Sequence, residues 1–365
     1  MTTEPVLQAS GLTIDRVGRR ILDVPSFQLA SGEVLTIIGP NGSGKTTLIQ
    51  CLALLLKPDS GTISYYGRRI AGGRSALHQR RRLAVVFQAP LLLSGTVRYN
   101  VSLGLRLRGF EHNEIAVRTN RWLERFGISG LAERQAATLS SGEAQRASLA
   151  RAFALTPDVM FLDEPFAALD APTRQALTAE LSQVLRETQT TTVLVTHDRN
   201  EAVALGDRVA VMMDGQVRQS GTPQSVFTRP ADEAVAAFVG AENIIPGTVD
   251  AQNGGVAVVS VAGGRTIDAV SDLGAGTSVA ACLRPEDITV TTAESPASAT
   301  SARNRLAGKV VSLSPSGAQT RVHLDCGVGL TALITTRSCH ELGLMPGKEV
   351  TASFKATSVH LIPRR

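Results

Sequence analysis

Apolar positions along this chain fall into a few recurring patterns, and each predicts a different kind of element. Val34 to Ile38, Leu83 to Phe87, the apolar stretch inside Asp158 to Pro165 and Thr191 to Val195 are short continuous runs. Runs of that length and continuity suit strands buried on both faces of a parallel sheet. Thr47 to Leu56 and Ala144 to Ala154 read as helices, and a helix-rich stretch begins after Gln88. From Asp207 onward the helical pattern fades. Arg208 to Met213, the turn Asp214-Gly215 and Gln216 to Gln219 predict a closing hairpin. Pro223 to Val239 predicts one more helical segment, and Gly240 a boundary. Beyond it, alternation such as Val256 to Val261 predicts the short strands of small β-barrels. Strands alternating with helices and then strands alone give an α/β domain over residues 1–240 followed by an all-β domain over 241–365.

Length and composition narrow the class of protein. The chain has 365 residues, enough for two domains with their own cores. Hydrophobic residues at 43% and charged residues at 19% are ordinary for a globular protein. The longest apolar runs, such as Cys51 to Leu56, are too short to span a bilayer, and the Met-Thr-Thr-Glu-Pro start carries no secretory pattern. Cys51, Cys282, Cys326 and Cys339 lie far apart, which predicts reduced thiols in the cytoplasm and no zinc framework. The net charge of +5 comes chiefly from arginine. The run Arg80-Arg81-Arg82 precedes a strand and reads as a solvated edge, so nucleic acid is not an expected partner. Lysine occurs only at positions 45, 57, 309, 348 and 355, so a lysine within a motif is informative.

The run Gly39-Pro40-Asn41-Gly42-Ser43-Gly44-Lys45-Thr46, followed by Thr47, fits a phosphate-binding loop between a strand and a helix. Glycines let the backbone wrap a phosphate, the helix N-terminus offers unpaired N–H groups, and Lys45 adds a point charge. Thr46 is placed to give its hydroxyl to Mg²⁺. Further on, the strand ending in Asp163-Glu164 carries two carboxylates to the C-terminal edge of a parallel sheet, where ligands bind. Asp163 suits Mg²⁺, and Glu164 suits the base that polarises an attacking water. His197, after the strand Thr191 to Val195, falls at the same edge, within reach of a γ-phosphate. Leu139-Ser140-Ser141-Gly142-Glu143 opens a helix with backbone donors and a hydroxyl, a second phosphate-facing surface.

Taken together, these motifs resemble the ATPase subunit of an ABC transporter. Walker A, the Q-loop Gln88, the signature Leu139 to Glu143, Walker B, the D-loop Ala168-Leu169-Asp170 and His197 stand in family order. The resemblance implies a P-loop NTPase with a RecA-like core and a helical subdomain at about 89–155, using ATP and Mg²⁺, with Thr46, Gln88 and Asp163 around the metal. It also implies that two copies associate head to tail, with Ser140, Gly142, Glu143 and Asp170 of one copy meeting ATP on the other's Lys45. Membrane permease subunits, and indirectly a substrate-binding protein, are the implied partners, at the cytoplasmic face of the cell membrane. Leu91-Leu92-Leu93 beside Gln88 is the surface expected to meet the permease. Two departures stand out: the signature reads Ser-Ser-Gly-Glu where Ser-Gly-Gly-Gln is common, and no aromatic lies near Val17 to stack on adenine.

The second domain repeats itself. Asn243 to Val249 matches Asn304 to Val310 as N-x-apolar-x-G-x-V, and Arg284 aligns with Lys355 at the far end of each copy. Two OB-like lobes at about 243–290 and 303–363, joined by a Ser/Ala/Thr-rich linker Thr291 to Ala302, are expected. They resemble the TOBE regulatory domain of importers, with Arg284-Pro285-Glu286-Asp287 as its mark, and the second lobe resembles molybdate- and tungstate-binding modules. That resemblance implies an oxyanion site using Ser301, Arg303, Asn304, Lys355 and Ser358. Import of molybdate or tungstate is the implied function. The alternatives are an importer of iron, sulfate, sugar or polyamine with a silent lobe, a soluble ABC ATPase acting on DNA or ribosomes, and an oxyanion store.

Overall fold

The computed structural model describes residues 5–292 and 300–364, and the chain divides into two compact units between Gln224 and Ser225. In the first unit the elements run β1 (Leu7–Arg16), β2 (Arg19–Leu29), β3 (Val34–Ile38), α1 (Lys45–Leu52), β4 (Ser60–Tyr65), β5 (Arg68–Arg69), α2 (Gly73–Arg80) and β6 (Leu83–Val86). They continue with α3 (Val97–Leu107), α4 (His112–Arg125), α5 (Ser141–Ala154), β7 (Val159–Asp163), α6 (Ala171–Thr188), β8 (Thr192–Val195), α7 (Arg199–Leu205), β9 (Arg208–Met213) and β10 (Gln216–Gly221). The apolar runs of the sequence become the core of a six-stranded sheet ordered β10-β9-β3-β8-β7-β6. Every residue of β3 and β7 is buried, as strands covered on both faces require. A four-stranded antiparallel sheet, β2-β1-β4-β5, lies apart from it in the hydrogen-bonding pattern.

Register is what positions the site. β3, β6, β7, β8 and β9 are parallel, with Ile37 and Asp163 both opposite Val195. The C-terminal ends of β3, β7 and β8 therefore stand side by side, and the loops that follow them open on one edge. α3, α4 and α5 supply the expected helical stretch. Its core includes Trp122, the chain's single tryptophan, stacked on Phe153 at 4.9 Å between centroids and flanked by Phe126. The first helix begins two residues earlier than the sequence predicts and ends at Leu52, because Leu54 turns left-handed at φ 61° and breaks the ladder.

The second unit contains α8 (Pro223–Thr228, which straddles the division), α9 (Glu233–Phe238), β11 (Asn243–Asn253), β12 (Val256–Val261), β13 (Arg265–Val270), β14 (Ser278–Leu283) and β15 (Thr289–Thr292). After the linker come β16 (Asn304–Ser316), β17 (Gln319–Asp325), β18 (Gly329–Thr335), α10 (Thr336–Glu341), β19 (Glu349–Phe354) and β20 (His360–Pro363). Residues 293–299 of the expected linker lie outside the described residues. The helix read over Pro223 to Val239 is two short helices, separated around Pro230, whose ring and missing N–H disfavour continuation. Ala236 and Ala241 pack with Ala280, Cys282 and Ile362, which ties this segment to the second unit.

The two repeats do not close as separate lobes. β20, at the end of the second copy, joins the sheet β13-β12-β11-β14-β20, and β15, at the end of the first, joins β15-β19-β16-β17-β18. Each copy thus completes the other's sheet, and both share one hydrophobic core. The repeated asparagine explains the rest of the match. Asn243 bonds Thr331 of the second copy through both amide atoms, accepting from its N–H at 2.6 Å and donating to its carbonyl at 3.0 Å. Asn304 does the same to Asp268 of the first copy, at 2.7 and 2.9 Å. Replacing Asn304 with Ala strands a backbone donor and acceptor in a part-buried position, a loss of about 1–3 kcal/mol. Denaturant unfolding of the full chain should show that loss; a change below ~0.5 kcal/mol, the size of an ordinary surface effect, would mean the clamp does not hold the repeats together.

Candidate functional site

At the edge set by β3, β7 and β8, the loop Gly39 to Gly44 turns back onto α1. Gly39 must lack a side chain, because a Cβ there would fall onto the Met212 carbonyl oxygen. Gly44 sits at φ 97°, and its Cβ would press on the Ile21 carbonyl at 3.0 Å. Gly42, at φ 79°, faces open space instead. The loop is propped from below by the hairpin turn between β9 and β10: Gly215 donates its N–H to the Ser43 carbonyl at 3.0 Å. Pro40, Asn41, Gly42 and Thr46 are exposed, while Ser43 and Lys45 are buried. The first-turn N–H groups of Lys45, Thr46 and Thr47 have no acceptor within the helix.

An open cavity of about 570 Å³ is lined by Asn41, Gly42, Gly44, Lys45, Thr46, Thr47, Gln88, Glu164 and Ile21. The Lys45 ammonium donates to the carbonyls of Gly39 and Pro40, both at 2.9 Å. Burial lowers its pKa, and the Glu164 and Asp163 carboxylates counter this. Thr46 donates its hydroxyl to Asp163 at 3.1 Å. Burial pushes the Asp163 carboxyl up, partly offset by that hydrogen bond, with Glu164 adding a smaller upward push. A hydroxyl and a carboxylate side by side at a phosphate loop form an oxygen-only donor pair, which fits Mg²⁺ bound through one or two carboxylates plus phosphates. Among the described residues no cluster of three or more His, Cys, Asp or Glu offers a different metal site.

Glu164 follows β7 at φ 46°, left-handed for a residue with a side chain, and just before Pro165. Its N–H donates to the Val195 carbonyl at 2.9 Å, so the strained residue is fixed by the neighbouring strand end. Its carboxylate lies 3.2 Å from Nδ1 of His197. Walker-type carboxylates, loop, glutamine and histidine are thus gathered at one sheet edge. Ser140, Gly142, Glu143 and Asp170 are not part of the cavity lining. Ser140 and Glu143 instead cap α5 reciprocally: the Glu143 carboxylate accepts from the Ser140 N–H at 2.8 Å, and the Ser140 hydroxyl accepts from the Glu143 N–H. Those bonds to Ser140 are what hold the Glu143 carboxyl below the usual range. Asp170 caps α6, accepting from Thr173, and that contact lowers its pKa.

Ile21, Met212 and Gly215 shape the cavity or its floor, and sequence reading did not find them. Only the Asp214-Gly215 turn left a local signal. Val17, in a left-handed turn at φ 49°, is wholly exposed and outside the lining. In the second unit, Asn304 must be withdrawn from the expected oxyanion set: it is 4% exposed and both its amide atoms are committed to Asp268. The pairing of Asn304 with Phe354 brings Arg303 and Lys355 to the same end of β16 and β19, and both are exposed. Arg303 lies 3.7 Å from Asp268, and Ser301 is exposed. Ser358 lines a different cavity, of about 320 Å³, with Arg284 and His360. Lys355 and Arg284 each stand before a short 3-10 turn, as their alignment in the repeat implies.

Comparison with known proteins gives two family matches, an ABC transporter model over residues 22–167 and a TOBE domain over residues 300–361. The chain is 38% identical over 340 residues to the molybdate/tungstate import ATP-binding protein WtpC of Pyrococcus horikoshii, covering 93% of this chain and 94% of that one. It is 35% identical over 347 residues to the sulfate/thiosulfate import ATP-binding protein CysA 2 of Chromobacterium violaceum, covering 94% and 91%. Among solved structures, it is similar to a dimeric ATP-binding cassette in a post-hydrolysis state bound to ADP and Pi. That likeness has a TM-score of 0.55 and 28% identity, and covers 60% of this chain and 98% of that one.

The buried Asp163 carboxylate yields a stability prediction. Its pKa is raised in the folded state, so folding disfavours the charged form; the penalty operates at neutral pH and is relieved as pH falls toward the unfolded value. Asp163→Asn keeps an acceptor for Thr46 and removes the charge. It should raise the melting temperature of the nucleotide-free protein at neutral pH. The gain should shrink as the melts are repeated at acid pH. An equal or lower melting temperature at neutral pH would show that the charge is not a burden.

Proposed function

This chain belongs to the ABC transporter family as an ATP-hydrolysing import subunit, and on that premise we propose that it powers uptake of molybdate or tungstate through a separate membrane permease. The observation that carries the substrate reading is identity at matched coverage, 38% with the molybdate/tungstate import protein against 35% with the sulfate/thiosulfate one. Similarity to the molybdate/tungstate import protein spans nearly the whole chain, the TOBE region included. Two exposed cations brought to one strand end, Arg303 and Lys355, suit a tetrahedral dianion. Sulfate is the rival anion, favoured by a relative of similar coverage.

In this reading ATP lies in the cavity at the strand edge. Lys45 leaves the loop carbonyls to meet the phosphates, and the N–H groups of the loop and first turn of α1 cradle them. Thr46, Asp163 and Gln88 would hold Mg²⁺, which neutralises charge on the phosphate oxygens when bound. Glu164 accepts the proton of the attacking water, and His197, hydrogen-bonded to it, steadies that carboxylate. The backbone strain at Glu164 supports this assignment, since such residues gather where a side chain must be held at a set angle.

Ser140, Gly142, Glu143 and Asp170 act on the nucleotide of a second copy. Their support is negative within one chain, where they stay off the cavity, and positive in chemistry, a capped helix N-terminus with N–H groups to offer. A Cβ at Gly142 would lie 2.9 Å from the Thr173 methyl, so a side chain there must displace Thr173. A two-fold pair closes both sites with the same contacts. The dimer docks at the cytoplasmic face of the membrane on permease subunits fed by a binding protein. Among the described residues no helix is long and apolar enough to cross a membrane. Leu91 and Leu93, exposed beside Gln88, meet the permease, while Leu92 packs inward.

Glu164→Gln should bind ATP normally and hydrolyse it roughly 10² to 10⁴ times more slowly, the span of a lost general base. Near-normal turnover would remove Glu164 from that role. Uptake of labelled molybdate by vesicles holding the chain, its permease and its binding protein should be competed by tungstate and resist excess sulfate. Competition by sulfate equal to that by tungstate would transfer the substrate to the rival reading.

A further inference from the structure

One stretch of the first unit is charged quite differently from the rest. Between Asp59 and Glu111 there is no acidic residue and there are nine arginines, although the whole chain is only +5. The remainder is therefore net negative, and the positive charge of this protein is concentrated in one segment. Three of the nine are committed. Arg82 pairs with Asp158 at 2.7 Å, Arg98 with Glu133 at 2.5 Å, and Arg108 donates to the Leu83 and Leu155 carbonyls. Arg68, Arg69, Arg74, Arg80 and Arg81, on β5, α2 and the turn after it, are all exposed and make no ion pair among the described residues.

α2 gives this charge a direction. Its one buried residue is Gln79, with Ala76 half-buried beside it on the same side. At helical spacing Arg74, Leu77, His78 and Arg81 fall within one arc on the opposite side, pointing away from the unit. Leu77 is 49% exposed within that stripe. Cations flanking an exposed leucine match the boundary between headgroups and acyl chains. Single-stranded nucleic acid is the weaker fit, because base stacking needs open rings among the cations, and duplex phosphates would leave the exposed Leu77 without an apolar partner. The aromatic ring next to the patch, that of Tyr66, already lies under the Arg82 guanidinium at 5.3 Å.

We propose that the exposed face of α2, with Arg68 and Arg69 beside it, is a docking surface for the anionic lipid headgroups of the bilayer. This rests on the membrane-bound role proposed above, and adds a second attachment to the membrane besides the permease. Each arginine at such a surface strengthens binding about fivefold. Attraction of this kind is screened as salt rises.

The test uses the full chain and vesicles of phosphatidylcholine, alone or mixed with phosphatidylglycerol, with ATP turnover measured in the same preparation. Binding is expected only to the anionic vesicles and should fall sharply when salt is raised to about 0.5 M, where the Debye length is roughly 4 Å. The triple variant Arg69→Ala, Arg74→Ala, Arg81→Ala should bind on the order of a hundredfold more weakly with unchanged basal ATP turnover. The same three positions changed to Lys should restore binding. Absent binding, equal binding to neutral vesicles, an unaffected triple variant, or a preference for duplex DNA over the anionic vesicles would each overturn the proposal. Loss of ATP turnover in the unaltered chain would instead count against the function proposed above, so the two failures are separable.

Discussion

No side chain fits at residue 39, because the Met212 carbonyl occupies the space where its Cβ would be. That close approach of two backbones, at the exit of the central strand and against its neighbour β9, fixes where the phosphate loop begins. The loop's far side is fixed in the same way, by Gly44 against Ile21 and by Gly215 donating to Ser43. Lys45 and Thr46 inherit their positions from those contacts. Parallel register then delivers Asp163, Glu164 and His197 to the same edge without any of them touching the loop backbone. The geometry of this edge is thus a consequence of strand pairing and backbone exclusion more than of side-chain packing.

The parts of this arrangement that lie within a few residues of chain were legible before the structure. The phosphate loop and the carboxylate pair at the end of an apolar strand each announce themselves locally, as does the glycine that opens α5. Ile21 and Met212 do not, because their contribution comes from strands brought together over nearly the whole first unit. Asn304 was misread for a different reason. An amide at the start of a repeat looks the same whether it serves a ligand or a neighbouring strand, and only its burial and its two bonds to Asp268 tell the difference. The helical reading of Pro223 to Val239 passed over a proline at position 230, and the chain breaks there.

The two units have different ways of specifying themselves. The first relies on long apolar strands and glycines that admit backbone contact. The second relies on duplication, with Asn243 and Asn304 in matching clamps and Arg284 and Lys355 ahead of matching turns. Duplication leaves two similar surfaces that have since diverged: one carries an arginine and two acidic neighbours, the other a lysine beside hydroxyls. Such divergence on a shared core is a simple route to one binding face and one structural face.

The exchange of final strands between the repeats also bears on how the protein is made. β14 pairs with β20, which is made after every other strand of the second unit. Until then the first repeat exposes the unpaired edge of a strand whose side chains are mostly apolar, the kind of edge that recruits strands from other chains. A nascent chain of this protein therefore cannot finish its second unit in steps, one repeat after another. It must wait, with an open edge, until His360–Pro363 have been made, and chains that stop before β20 keep that edge.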